Sequence, residues 1–291
     1  MVASETLRAL AALMEPPGPS LEPVAEALEL GALPSPAAHV ELFSFELPPF
    51  ASIWLSPEGM LGGDARAWVG GFWRTLDQES PKEPDHLATL LAFYASMCEL
   101  EEGEDEGSER RERIHASRRA FFLEHMQSWL PLYVARVREV SGREGLEFHH
   151  RWSGLLDEIL TQEARALVAP SGLPQHYERR GELPPEITVA ELIRLLLAPL
   201  ACGLPLLRND LKCCADDLGL VARQAERRYV LEQLLTQDAR SVLSWLGSFA
   251  ERWSVRHQEL WPAPMAEFWT ARAQATAALL EAMQTPESSA E

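Results

Sequence analysis

Apolar residues recur at the spacing of an α-helix along nearly the whole chain, and strand-like alternation is scarce. Leu87, Leu90, Leu91, Tyr94 and Cys98 share one helical face, and Phe121, Phe122, His125, Trp129 and Tyr133 form a second stripe. Similar stripes run through Val189 to Ala198, Asn209 to Gly219, Glu226 to Trp253 and Ala266 to Met283. This pattern predicts an all-α fold, a bundle of about ten helices in two packed halves.

Two stretches interrupt the period. Leu33 to Gly63 carries five prolines and the Gly62-Gly63 pair. It reads as short turns and irregular backbone with Phe50, Ile53, Trp54 and Leu55 as apolar anchors. Pro170 to Pro185 is rich in Pro, Gly and charge. The expected organisation is an N-terminal helical half over 1–169, a linker over 170–188 and a C-terminal helical half over 189–291. The run Glu99 to Glu109, with seven acidic residues, meets a basic cluster from Arg110 to Arg119 and reads as a solvated connection between helices. Thr285 to Glu291 reads as a frayed tail.

With 46% hydrophobic residues the chain can bury a substantial core. Its 44 acidic against 26 basic side chains leave a formal charge of −18. Such a surface repels nucleic acid and anionic membrane and favours a cationic partner, or serves solubility alone. The apolar stretch Leu195 to Leu207 is broken by Pro199, Gly203 and Pro205, and Met1 to Met14 holds Arg8 where a secretory signal would be apolar. No membrane insertion is expected. Cys98, Cys202, Cys213 and Cys214 form no CxxC pair, and reduced thiols in a cytoplasmic protein are the simplest account, with one of Cys213-Cys214 buried and the other at its edge. His149-His150 beside Glu147 lacks the HExxH spacing and reads as a surface turn, and neither a G-x-S-x-G elbow nor a P-loop is present. The chain is therefore not expected to be an enzyme, and no catalytic residue, metal site or cofactor is assigned.

The most informative motif is Glu83-Pro84-Asp85-His86. Ser80-Pro81-Lys82-Glu83 has the form of a capping box with proline at the first helical position, and Pro84 offers a second helix start. Asp85 would then lie in the first turn, where unpaired N–H groups favour a carboxylate, and Asp85 or Glu83 would raise the pKa of His86. Taken alone the tetrapeptide is a helix cap more often than a site. Downstream, Phe122, His125 and Trp129 fall at i, i+3 and i+7, and Pro131 is placed to kink this helix near Gln127 and open a cleft.

At these residues the sequence resembles the TorD family of redox-enzyme maturation chaperones, with its DmsD and NarJ branches. The Glu83-Pro84-Asp85-His86 loop, the Phe122-Leu123-Glu124-His125-Met126-Gln127-Ser128-Trp129-Leu130-Pro131 helix and the upstream segment Pro49 to Gly63 carry the resemblance, and Phe72-Trp73 sits where members have aromatics. A looser similarity runs through Leu204 to Leu211 and Glu226 to Leu231. Leu90 stands where many members have glutamate, and the 170–185 connection is longer than usual.

The resemblance implies a cytoplasmic chaperone that binds the N-terminal, twin-arginine leader of the apo catalytic subunit of a molybdenum-cofactor oxidoreductase, assisting cofactor insertion and proofreading before export. A binder of arginines followed by an apolar stretch needs carboxylates beside an apolar groove. Glu83 and Asp85 are the candidates for charge, Trp73, Tyr94, Phe122 and Trp129 for groove walls, and Pro84, His86 and His125 for fixing the loop, with Asp85 and His86 facing His125 and Trp129. Two halves on a long linker allow a monomer or a domain-swapped homodimer. The competing expectation is a helical adaptor that binds a folded partner through its acidic surface.

Overall fold

The computed structural model describes residues 4–75, 79–167, 172–178, 183–184 and 187–284. Among these the backbone forms fifteen α-helical segments and no strand, the one β-type pairing being an isolated bridge between Phe50 and His86. The fold is all-α. Ten of the segments have eight residues or more: α1 Ser4–Ala12, α2 Gly63–Thr75, α3 Leu87–Glu102, α4 Glu109–Phe121, α5 Leu130–Glu144, α6 Glu147–Leu167, α7 Val189–Leu196, α8 Arg208–Leu218, α9 Arg227–Leu260 and α10 Ala263–Ala282. The rest are helical turns of four to six residues, such as Pro36–Val40 and Ala51–Leu55 inside the proline-rich stretch.

Local chemistry sets the ends. The Ser108 hydroxyl accepts from the Arg111 N–H at 3.1 Å to open α4, and Thr188 and Glu191 close a reciprocal capping box on α7. Gly145 and Gly219 end α5 and α8 in the left-handed conformation. Within α9, Asp238 leaves helical geometry at φ −154° and ψ 85°, and its carboxylate accepts from the Ser241 N–H at 3.1 Å. Asp238 thus caps a new helix, so α9 is two helices joined at a kink.

The chain divides into two compact units, Met1–Ile53 with Leu61–His176, and Trp54–Met60 with Tyr177–Glu291. The division at His176 falls inside the sequence-predicted linker, within the short helix Gln175–Glu178. Positions 170–171, 179–182 and 185–186 of that linker lie outside the described residues, as does the tail from Thr285. Trp54–Met60 groups with the second unit because Gly59, at φ 63°, lies under the Leu197 carbonyl; a Cβ there would be 2.1 Å from that oxygen.

In the first unit, α1 packs on α3 through fully buried Leu7 and Leu10, and the Trp152 indole on α6 donates to the Leu10 carbonyl at 3.2 Å. His149 lies on α6 and is 1% exposed, within an aromatic cluster of Phe43, Phe148 and His39, rather than in a surface turn. The acidic run is half solvated and half committed. Gly103 to Ser108 is the connection, while Glu101 at its start pairs with Arg118 at 3.0 Å.

In the second unit, α9 and α10 pack together around stacked Trp261 and Trp269. His257 donates from Nε2 to the Gly203 carbonyl at 2.8 Å and accepts at Nδ1 from the Trp261 indole at 3.2 Å. Cys214 is buried and Cys213 half-buried, as the helical pattern predicts, and no disulfide joins any of the four cysteines among the described residues.

Candidate functional site

The Glu83–His86 turn lies just before a helix, but the helix starts later than the capping-box reading places it. Residues 80–85 are turn and coil, α3 begins at Leu87, and His86 is its N-cap, Nδ1 accepting from the Ala88 N–H at 3.2 Å. That bond puts the proton of the neutral ring on Nε2. What overrides the earlier start is a tertiary pairing. The Ala51 N–H donates to the Asp85 carbonyl at 3.0 Å and the Leu87 N–H to the Pro49 carbonyl at 2.8 Å, holding the turn extended against the Pro49–Ala51 strand-like segment. Gly70 lets α2 approach from the other side, since a Cβ there would stand 3.0 Å from the Ser80 hydroxyl and 3.8 Å from the Pro84 ring.

Asp85 therefore lies ahead of the helix rather than in its first turn. It is 1% exposed, and its carboxylate accepts from the buried Ser52 N–H at 3.2 Å, while the Ser52 hydroxyl accepts from the Gly62 N–H at 3.0 Å. This relay ties the motif to the Pro49–Gly63 segment. The His86 ring meets Phe50 edge-on, centroids 4.8 Å apart, and its pKa is lowered: burial outweighs the opposing pull of Glu83, Glu15 and Asp85. Asp85→Ala is expected to cost about 1–3 kcal/mol in denaturant unfolding by stranding the Ser52 N–H, whereas Asp85→Asn keeps an acceptor and most of the stability. Equal losses for both variants would show that the carboxylate charge, not the acceptor, is what matters.

The second-helix residues are held elsewhere. α4 ends at Phe121, a π-helical turn spans Phe122–Gln127, and the chain breaks at Ser128-Trp129 before α5. Pro131 does not kink a continuous helix but occupies the first turn of α5, where a missing N–H costs nothing. Trp129 is fully buried, its indole donating to the His125 carbonyl at 2.9 Å. His125 packs against Phe72 and Phe121, its Nδ1 is buried without a hydrogen-bond partner among the described residues, and burial lowers its pKa to about 4. Tyr94 and Phe122 are also fully buried. The Tyr94 hydroxyl bonds the Glu163 carboxylate, which pairs with Arg118 at 3.3 Å. In this conformation Tyr94, Phe122 and Trp129 are core residues. Glu83 is exposed and Pro84 buried.

Trp73 alone among the four aromatics lines an open groove. Its ring packs against Phe93, centroids 3.9 Å apart and planes tilted by 32°, and both rings border a depression of about 570 Å³ between α1 and α3. Ala11, Ala12 and Glu15 line one side, Ala88, Thr89, Ala92 and Ser96 the other, and Pro81 places one end beside the Glu83–His86 turn. Arg8, at the far end, is neutralised by Glu99 at 2.7 Å and bonds the Ser96 hydroxyl at 2.9 Å. The sequence reading did not include the α1 wall. The signal was there: Arg8, Ala12 and Glu15 fall at i, i+4 and i+7, as Ala88, Ala92 and Ser96 fall at i, i+4 and i+8.

Residues 8–135 match the family model described as nitrate reductase delta subunit. The chain is similar to the chaperone protein TorD of Vibrio vulnificus strains CMCP6 and YJ016, at 30% identity over 95 residues in each case, covering 31% of this chain. It spans 44% of the length of those relatives. The matched span begins upstream of the Pro49–Gly63 segment, and it encloses that segment, the Glu83–His86 turn, the Phe122–Pro131 segment and both walls of the groove. Over residues 8–135, somewhat less than half of its length, the chain is thus similar to the nitrate reductase delta subunit family.

Proposed function

We propose that this protein is a non-enzymatic, cytoplasmic maturation chaperone of a molybdenum-cofactor oxidoreductase, holding the N-terminal twin-arginine leader of the apo catalytic subunit until cofactor is inserted. The observation that carries this reading is the α1–α3 groove, an apolar channel with small side chains on both walls that starts beside the family's motif turn. An apolar segment fits such a channel by burying its side chains against Ala11, Ala92, Trp73 and Phe93. Glu83 and the groove's acidic end supply the charge that arginines need. Asp85, Pro84 and His86 act in this reading by holding the turn and the start of α3, and His125, Phe122, Trp129 and Tyr94 by building the core behind it. No metal or nucleotide enters the proposed action.

Calorimetric titration of the full chain with a twin-arginine leader peptide from a molybdoenzyme tests it. Binding at micromolar affinity or better is expected, about −8 kcal/mol. Ala92→Trp, which fills the channel from an accessible position on α3, is expected to reduce that affinity at least tenfold with an unchanged melting temperature. Absence of heat at high micromolar peptide, together with binding of a folded client from which the leader has been deleted, would replace the leader-binding reading by the adaptor reading.

A further inference from the structure

The groove is electrostatically one-ended. Of the charged residues along it, Arg8 is taken up by the two-point contact with Glu99, Nε to Oε1 at 3.0 Å and Nη2 to Oε2 at 2.7 Å. Glu15, at the opposite end, is exposed and has no ion pair among the described residues. It lies near enough to His86 and His39 to favour their protonated forms.

Glu15 also stands where local helix physics disfavours it. The N–H groups of Leu13, Met14 and Glu15 still bond back to Ala9, Ala11 and Ala12, so the Glu15 carboxylate stands just past Ala12 at the negative end of the α1 dipole. A basic residue there would help the helix, whereas a carboxylate opposes it. Both features make this end attractive to a cation. The apolar side of the channel holds a second unsatisfied group, the Trp73 indole N–H, which is buried without an acceptor among the described residues. Asp85 is unsuited to reading an external charge, being buried and committed to the Ser52 N–H.

We infer that Glu15 is the residue that reads an arginine of the bound leader, so that the leader lies with its arginines at the Glu15 end and its apolar stretch running along Ala92 and Phe93 toward the Arg8–Glu99 pair. This inference rests on the leader-binding reading and adds to it a charge contact and a direction. A leader bound this way pairs the Glu15 carboxylate at the negative end of the α1 dipole and buries no charge at the neutralised Arg8 end.

The test is a double-mutant cycle by calorimetry, with the leader and its Arg→Gln form titrated into the native chain, Glu15→Gln and Glu15→Arg. Glu15→Gln is expected to weaken the native leader about fivefold and to bind the Arg→Gln leader no worse than the native chain does. Glu15→Arg is expected to bind an Arg→Glu leader better than the native leader. A photo-crosslinker placed beside the leader's arginines should label Ala12 or Pro81, and one at the apolar end should label Ser96. Equal affinity loss for both peptides in Glu15→Gln, or crosslinks in the reverse order, overturns the inference while leaving leader binding intact. Failure of the native leader to bind the native chain overturns the leader-binding reading itself, and this inference with it.

Discussion

Lowering the pH from 7 to 5 is expected to reduce the thermal stability of this protein steeply, before the surface carboxylates begin to protonate. His125, His149 and His257 are each no more than 5% exposed, and burial lowers the pKa of each from 6.5 to about 4. The folded state therefore holds them neutral while the unfolded chain takes up protons below about pH 6.5. Their contribution is fully present above that value and is lost as pH falls through the window down to about 4. The slope reaches roughly 1.4 kcal/mol per pH unit for each histidine. His125 and His149 lie in the first unit and His257 in the second, so both are destabilised. Differential scanning fluorimetry across pH 7 to 4.5 checks this; a flat melting temperature down to pH 5 would contradict it.

His149 gives the sharpest version of the experiment. Neither of its ring nitrogens has a hydrogen-bond partner among the described residues, and Phe43, Phe148 and His39 pack around it. His149→Phe keeps a flat ring in this aromatic cluster and removes two buried unsatisfied nitrogens. It is expected to raise stability at pH 7 by about 1 kcal/mol or more and to remove one histidine's share of the acid slope. His257→Phe differs in sign at neutral pH, because it strands the Gly203 carbonyl and the Trp261 indole that His257 now satisfies.

Gly203→Ala is expected to damage the second unit severely for a change of a single methyl. Gly203 has φ 76°, and a Cβ there would lie 2.5 Å from the Ala273 backbone nitrogen and 2.9 Å from the Arg272 Cβ on α10. The left-handed conformation costs an L-residue about 1 kcal/mol, and displacing a packed helix backbone adds about 1–3 kcal/mol. The shift also pulls the Gly203 carbonyl from His257 and disturbs the neighbouring Cys202 carbonyl, which accepts from the Thr276 hydroxyl at 2.7 Å. A loss of about 3 kcal/mol or more in denaturant unfolding is the expected outcome. A loss below 1 kcal/mol would show that α10 yields at this point.

The sequence by itself determined the helical class and the approximate number of long helices, because a 3.6-residue apolar period survives whatever the helices pack against. It also determined the motif segments, since Glu83–His86, Phe122–Pro131 and Pro49–Gly63 are readable as residue strings, and all three lie inside the matched region. Only tertiary structure decided how those residues are used. The start of α3 is set at His86 by pairing with Pro49 and Ala51 across some 36 residues, which no local capping pattern records. Tyr94, Phe122 and Trp129 carry aromatic rings fit for either a core or a groove, and burial assigns them to the core. Trp73, with the same chemistry, lines the groove because α1 packs alongside α3 and stops short of covering it. The partner wall, from Arg8 to Glu15, carries no motif; its place beside the Glu83–His86 turn follows from helix packing, a long-range choice that periodicity alone leaves open.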